Sequence, residues 1–184
     1  MLILLLNQNL IIMESQQKSI SNQALNFGIV TGLVMIVFTF IMYLFNATAE
    51  PYAGYGNYII LLIGIILAVK MFRDKESGGF LRYGQGVGLG TLLALFASII
   101  AGIFSYILYA YIDPSAIEPM LDAAREQMYQ RGLEGRELDQ AMRITEKFTR
   151  PHWIAISSIF YTTIVGLILS LIVTIFLRRE QPEK

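Results

Sequence analysis

The chain of 184 residues contains no cysteine and only one histidine, His152. The lack of cysteine excludes disulfide bonds, thiol nucleophiles and thiolate metal sites. One histidine cannot supply the several imidazole ligands of a histidine-built metal centre within one chain. The 14 basic and 14 acidic residues give a formal net charge of zero, which indicates no nucleic-acid partner. We therefore expect no bound metal or cofactor.

Ionisable side chains are also missing from the middle of four long apolar segments. The chain is 55% apolar with a mean hydropathy of +0.55, whereas soluble domains are about 45–50% apolar. A membrane-spanning helix needs roughly 20 mostly apolar residues, so the sequence predicts an all-α integral membrane protein with four transmembrane helices. The predicted helices cover residues 24–45, 55–72, 85–111 and 153–177. Because pumps and membrane enzymes usually need buried charge, we expect no enzymatic activity.

The first 23 residues are predicted to form a cytoplasmic N-terminal segment. They begin with a short apolar run that lacks the basic start and the small-residue cleavage site of a secretory signal. Asn7, Gln8 and Asn9 interrupt the run, which is too short to cross a bilayer. We interpret Met13 as the true start and residues 1–12 as an upstream extension. The alternative is a segment that lies along the membrane surface.

The distribution of basic residues predicts the orientation of the helices. Basic residues favour cytoplasmic loops, and none occurs between the first two apolar segments, in residues 46–54. Both termini are therefore expected in the cytoplasm of a bacterial inner membrane, with residues 113–151 outside. The basic residues assigned to the cytoplasmic side are Lys18, Lys70, Arg73, Lys75, Arg82, Arg178, Arg179 and Lys184.

Small residues at four-residue spacing mark a predicted packing seam. Side chains four residues apart lie in one stripe along a helix, and small residues let membrane helices approach closely. We predict that segments three and four pack along these stripes, although a homodimer face is the alternative. The stripe residues are Gly86, Gly90, Ala94, Ser98 and Gly102 in segment three, with Ser158, Thr162, Gly166, Ser170 and Thr174 in segment four.

The alternating glycines from Gly84 to Gly90 do not fit a phosphate-binding loop. The dinucleotide fingerprint needs G-x-G-x-x-G after a strand, and the Walker motif needs a lysine; neither pattern is present here. A flexible start of the third helix is the simpler interpretation. The hydroxyl groups of segments three and four are expected to bond within the helices, with a polar path as the alternative.

Residues 113–151 are predicted to form an amphipathic helical hairpin outside the membrane. Asp113 and Pro114 are typical of a helix start, and the stretch from Gly132 to Gly135 predicts a break between two helices. Pro151 is expected to end the second helix. Apolar residues recur at helical spacing on both arms, as Ile117, Leu121, Ala124 and Met128 and then as Leu138, Met142, Thr145 and Phe148. Each apolar face must meet the other arm, the membrane surface or a partner.

One possible role for His152 is that of an acid–base group with Asp113 or Glu118, or of a pH sensor. An interfacial residue beside the aromatic anchor Trp153 is the simpler interpretation. We therefore predict no catalytic, cofactor-binding or metal-binding residues.

Several motifs in order resemble the bacterial family called domain of unknown function 4199. The resemblance covers about Glu14 to Glu180. Its motifs are Phe72-Arg73-Asp74-Lys75 with Gly78-Gly79, then Tyr83-Gly84-Gln85-Gly86, Tyr111-Ile112-Asp113-Pro114, Gln127-Met128, Asp139-Gln140-Ala141-Met142 and the tail Leu171–Arg179. The resemblance implies four membrane helices and an outer helical insert. It implies no functional residues, because such proteins have no established activity.

These observations favour a non-enzymatic envelope protein that binds a protein partner through the hairpin. The alternative is a small transporter or channel, which would need to be oligomeric because four helices rarely enclose a pathway. The expected surroundings are the lipid bilayer and either a protein partner or further copies of the chain.

Overall fold

The computed structural model describes residues 2–45, 47 and 51–179, with side chains described from Ser19 onward except within residues 51–54. Over these residues the regular structure is helical. The α-helices are α1 (Leu2–Leu44), α2 (Pro51–Met71), α3 (Tyr83–Ile107), α4 (Glu118–Gln130), α5 (Gly135–Phe148) and α6 (Pro151–Leu177). Two π-helical turns, Phe72–Glu76 and Leu108–Ile112, extend α2 and α3, and a 3-10 turn covers Pro114–Ile117. The prediction of an all-α chain is confirmed.

Four helical stretches are long and apolar enough to cross a membrane, which confirms the predicted number of spans. They are Ser19–Leu44, Tyr55–Glu76, Tyr83–Ile112 and Pro151–Leu177. Only 22% to 39% of the most apolar window in each stretch is buried inside the protein. Most apolar side chains therefore point outward, where a lipid environment satisfies them and water would not. These features indicate a membrane protein.

The four long helices form a bundle in which α3 is central. The most extensive helix contacts join α3 to α6 and α3 to α1. Helix α2 contacts both α1 and α6, and it contacts α3 less extensively. Leu61 and Ile65 of α2 and Leu89 and Leu93 of α3 are fully buried in the shared core. The polypeptide thus buries one face of each helix and leaves the remaining faces for lipid.

The first helix is longer than the prediction that began it at residue 24. It runs without interruption from Leu2 to Leu44, and its part with described side chains, Ser19–Leu44, is long and apolar enough to span a membrane. The reason is that residues 2–27 contain neither glycine nor proline, so nothing in this stretch stops a helix. The predicted start at Met13 concerns residues 1–12. All of Met1 and the side chains of residues 2–18 lie outside the described part of the chain.

Two further helix boundaries differ from those expected. Helix α3 begins at Tyr83 and includes the glycine-rich stretch as regular helix. Pro151 is the first residue of α6 instead of the last residue of the hairpin, whose second helix already ends at Phe148. Proline is well suited to the first position of a helix, because it has no N–H to leave unbonded there and its φ angle is already helical.

The end of the bundle with the basic residues is held together by backbone contacts. Leu81 N donates to the Arg179 carbonyl at 2.8 Å, and Arg179 N donates back to the Leu81 carbonyl at 3.3 Å. The Arg73 guanidinium donates to the Leu177 carbonyl at 3.4 Å and forms an ion pair with Asp74 at 2.7 Å. The connection from α2 to α3 is therefore attached to the end of α6.

Candidate functional site

The two stripes of small residues meet along the contact between α3 and α6. A Cβ atom added to Gly86 would lie 2.6 Å from Thr174 Cγ2, and one added to Gly90 would lie 2.9 Å from Ser170 Cβ. Such distances are shorter than van der Waals contact, so any side chain at these positions requires Thr174, Ser170 or the helices themselves to shift. In the same way, a Cβ added to Gly166 would overlap with Ala94 Cβ.

Toward the hairpin end of the bundle the two helices remain close, but the residues of the two stripes no longer face each other. There Ser98 contacts Thr163, with 3.3 Å between their hydroxyl oxygens, and Gly102 faces Ile159. The predicted seam residues Ser158 and Thr162 are only half-buried, one residue away from the side chains that face α3. The physical reason is the helical repeat: at 3.6 residues per turn, a four-residue stripe drifts around the helix.

A second close contact, between α1 and α3, uses glycines of α1. Added Cβ atoms would lie 2.7 Å from Phe96 Cβ at Gly28 and 3.1 Å from the Ala97 carbonyl oxygen at Gly32. Gly64 of α2 also closely approaches Thr31 of α1. Gly28 and Gly32 are four residues apart in the sequence, whereas Gly64 is isolated.

Hydroxyl groups near the seam bond mainly within their own helices. Ser98 donates to the Leu95 carbonyl at 2.8 Å, and Ser170 donates to the Gly166 carbonyl at 2.6 Å. Such bonds satisfy a hydroxyl in an apolar environment without any ligand. The hydroxyl of Thr174, by contrast, is buried and has no hydrogen-bond partner among the described residues. The seam is thus a packing contact built from small side chains and from hydroxyl groups that, apart from Thr174, bond mainly within their own helices.

The hairpin is anchored to the bundle at its first residues. Asp113 accepts hydrogen bonds from Ser115 N at 3.0 Å and from the Tyr43 hydroxyl at 2.8 Å. It thereby caps the 3-10 turn and connects the hairpin to α1. Tyr109 and Ala116 are buried beside this contact. Hydrogen bonds from Ser115 and Tyr43 to the charged carboxylate hold the pKa of Asp113 below its usual value.

This lowered pKa predicts how the hairpin attachment depends on pH. A carboxylate with a depressed folded-state pKa stabilises the fold above its unfolded pKa, and the contribution disappears as the pH falls through the folded value. We expect constant protection from neutral pH to about pH 5, and loss of protection below the ordinary value of 3.8. The measurement is hydrogen exchange of the Ser115 and Ala116 amides, corrected for intrinsic rates.

The variant Asp113→Asn is the control for this pH effect. Asparagine does not titrate and keeps one side-chain oxygen that can accept from Ser115, but its amide nitrogen cannot accept from the Tyr43 hydroxyl. Protection in the variant should therefore be lower than in the wild-type protein at neutral pH, and it should not change over the acid range. Identical acid profiles of the wild-type protein and this variant would contradict the role given to Asp113.

The second arm of the hairpin divides its apolar face into a buried and an exposed edge. Met142 is 4% exposed, whereas Ile144 and Phe148 are 59% and 62% exposed. Ile144 and Phe148 are four residues apart and therefore lie on one side of α5. We refer to this pair as the α5 stripe. The Phe148 ring also contacts the Trp153 ring of α6, with 5.8 Å between the ring centres.

His152 lies beside this contact on the surface of the protein. It is exposed, and its ring centre is 5.8 Å from that of Trp153. The bonds described for Asp113 go to Ser115 and Tyr43. Within the part of the chain that the structure describes, no three histidine, cysteine, aspartate or glutamate side chains are grouped as metal ligands. The α5 stripe, with its two exposed apolar side chains, is therefore the candidate binding surface of the hairpin.

Comparison with known proteins identifies a family and nothing narrower. The family model described as "Protein of unknown function (DUF4199)" matches residues 26–179. No curated protein matches the chain, and no solved structure matches it.

Proposed function

The chain belongs to the DUF4199 family of proteins of unknown function, and from this premise we propose that it is a non-enzymatic membrane protein that binds a protein partner through its hairpin. The four spans support the membrane location. We further propose that the protein resides in a bacterial inner membrane, that its chain crosses this membrane four times and that both termini lie in the cytoplasm. The support for that orientation is the basic end of the bundle, with Arg73, Arg82 and Arg179 close together, because basic residues favour the cytoplasmic side.

The single observation that carries the binding role is the exposed α5 stripe. Helix α5 already buries Met142, so its apolar face is only partly used within the chain. Two large apolar side chains four residues apart remain exposed on α5, whose other exposed residues, apart from Gly135, are polar or charged. In recognition by helices, apolar residues at this spacing are typical anchors for a groove or a second helix.

The position of the α5 stripe indicates what kind of partner would bind. Because Phe148 contacts Trp153 at the start of α6, the stripe lies where the fourth span reaches the membrane surface. Phe160 and Ile164 continue an exposed apolar path down α6. A partner that covers the α5 stripe would therefore be a membrane protein with an apolar segment beside α6, extending out of the bilayer to the level of Phe148.

Site-specific photo-crosslinking in intact cells tests this proposal. A photoreactive amino acid at Phe148 should crosslink to one protein of defined mass, whereas the same amino acid at Arg136 should not. Arg136 is a suitable control because it is exposed on the same helix but two turns before Ile144 and away from the apolar face. The crosslinked protein would then be identified by its peptides.

Two outcomes would contradict the proposed role. Crosslinks from position 148 to lipid alone would mean that the α5 stripe lies on the membrane. Crosslinks to a second copy of the chain would replace the protein partner by a homo-oligomer, the arrangement that the transporter alternative requires.

A further inference from the structure

A cleft opens at the opposite end of the bundle, between α1 and the π-helical turn that follows α2. Its volume is about 400 Å³, and it is lined by Ser19, Asn22, Gln23 and Asn26 of α1 and by Glu76 of the turn. Four neutral polar side chains and one carboxylate thus form the polar part of its lining. This polar lining differs from the apolar surfaces of the spans on either side.

Glu76 is held in the cleft by neutral donors. The Ser19 hydroxyl donates to Glu76. Gln23, which is 6% exposed, donates its amide N–H to Glu76 Oε1 at 3.2 Å while its oxygen accepts from Phe72 N at 3.1 Å. The opposite amide orientation would let Gln23 donate to the Ala68 carbonyl at 3.3 Å, but it would set the amide oxygen against other acceptors. We adopt the orientation that satisfies both ends of the amide.

The charge of Glu76 has no counterion in the described part of the chain. The ion pair found there joins Arg73 to Asp74, and among the described side chains, which begin at Ser19, no lysine, arginine or histidine nitrogen lies within 4.0 Å of the Glu76 carboxylate. Neutral hydrogen bonds orient a carboxylate but leave its charge in place. Because Glu76 is exposed, its negative charge is accessible to a cation and attracts it.

The location of the cleft indicates where such a cation would come from. Ser19 lies shortly before the apolar segment that begins at Ala24, and Glu76 lies shortly after the apolar segment that ends at Phe72. Both therefore lie at the level where lipid headgroups meet the hydrocarbon. Phe27 and Met71 give the cleft an apolar side, and an aromatic ring close to a cation adds a further attraction.

We propose that this cleft binds a primary ammonium group, carried either by an aminophospholipid headgroup or by a free small amine. An ammonium group has three N–H donors and one charge. Glu76 matches the charge, and the side-chain oxygens of Asn22 and Asn26 are additional acceptors on the same wall. Divalent cations fit less well, because calcium sites usually combine six to eight oxygen ligands that include several carboxylates.

Native mass spectrometry of the full-length protein in detergent tests the proposal. The probes are phosphatidylethanolamine, phosphatidylcholine and free ethanolamine. Phosphatidylcholine has the same charges but a quaternary nitrogen without N–H donors. We expect phosphatidylethanolamine to bind about tenfold more tightly, the factor that one charge-assisted hydrogen bond supplies. Binding of the lipid but not of ethanolamine would identify the lipid as the source, and saturable ethanolamine binding would identify the free amine.

The variant Glu76→Gln should lower binding of the favoured amine to the level of phosphatidylcholine. Glu118→Gln is the matched control, because Glu118 is an exposed carboxylate at the other end of the molecule, and it should leave binding unchanged. Equal affinity of the wild-type protein for both lipids and no binding of ethanolamine would overturn the proposal, and this comparison needs no variant to fold. Unchanged amine binding in Glu76→Gln would overturn it as well.

Discussion

Replacing Gly90 by leucine is expected to lower the free energy of unfolding by about 3 kcal/mol, because the new side chain forces α3 and α6 apart. At Gly90 even a Cβ atom would lie 2.9 Å from Ser170 Cβ and 3.1 Å from Ile65 Cγ2. Ser170 cannot easily turn away, since its hydroxyl bonds to the Gly166 carbonyl at 2.6 Å. The loss of close contact would extend along the seam, because Gly86 and Ala94 depend on the same separation of the two helices.

Gly88→Leu is the matched control for this prediction. It introduces the same side chain into the same helix two residues earlier, where an added Cβ meets no atom within 4 Å. Leucine is also a better helix former than glycine by roughly 1 kcal/mol, so this variant should be neutral or slightly more stable. Unfolding of both variants in mixed micelles with increasing denaturing detergent gives the comparison. Equal stability of the two would contradict the seam.

The double variant Ile144→Glu/Phe148→Glu is expected to abolish the protein complex that we propose for the hairpin. Two carboxylates would have to be buried without partners in the contact, at a cost of several kcal/mol. A cost of about 4 kcal/mol corresponds to a loss of roughly a thousandfold in affinity. Both side chains are more than half exposed in the free chain, so insertion into the membrane and the stability of the bundle should not change. The complex would be measured by purification in a mild detergent.

The control for the hairpin is Arg136→Glu/Arg143→Glu, which also places two carboxylates on α5. Both arginines are exposed and lie on the polar side of the helix. This variant should retain the complex. If both double variants lose the partner, the effect comes from charge on the hairpin in general and the α5 stripe is not the binding surface. If both keep it, binding takes place elsewhere.

The seam shows how far a residue pattern leads and where it fails. Gly86, Gly90 and Ala94 could be predicted to face another helix, because four-residue spacing produces one stripe of small side chains. The pattern could not choose α6 over a second copy of the chain. It also misplaced Ser158 and Thr162, because the drift of a four-residue stripe matters only once the crossing of two particular helices is known.

The hairpin and the cleft show the same limit at two other places. The two arms could be predicted from the break at Gly132–Gly135, which the structure places between α4 and α5. Which part of the apolar face of α5 remains exposed depends on how the two arms pack together. The helical spacing of apolar residues does not determine that packing. Likewise, Ser19, Gln23 and Glu76 are far apart in sequence, and no spacing rule joins residues from α1 with the turn after α2.

Local sequence was sufficient for the number of spans, the all-α class and the position of the hairpin, because apolar length and turn residues act within one helix at a time. Packing between helices alone settled the pairing of α3 with α6, the exposed α5 stripe and the polar cleft around Glu76. In lipid, apolar surface is satisfied on every side of a helix, so hydrophobicity does not select its neighbours. That choice depends on close fit and hydrogen bonding between side chains far apart along the chain.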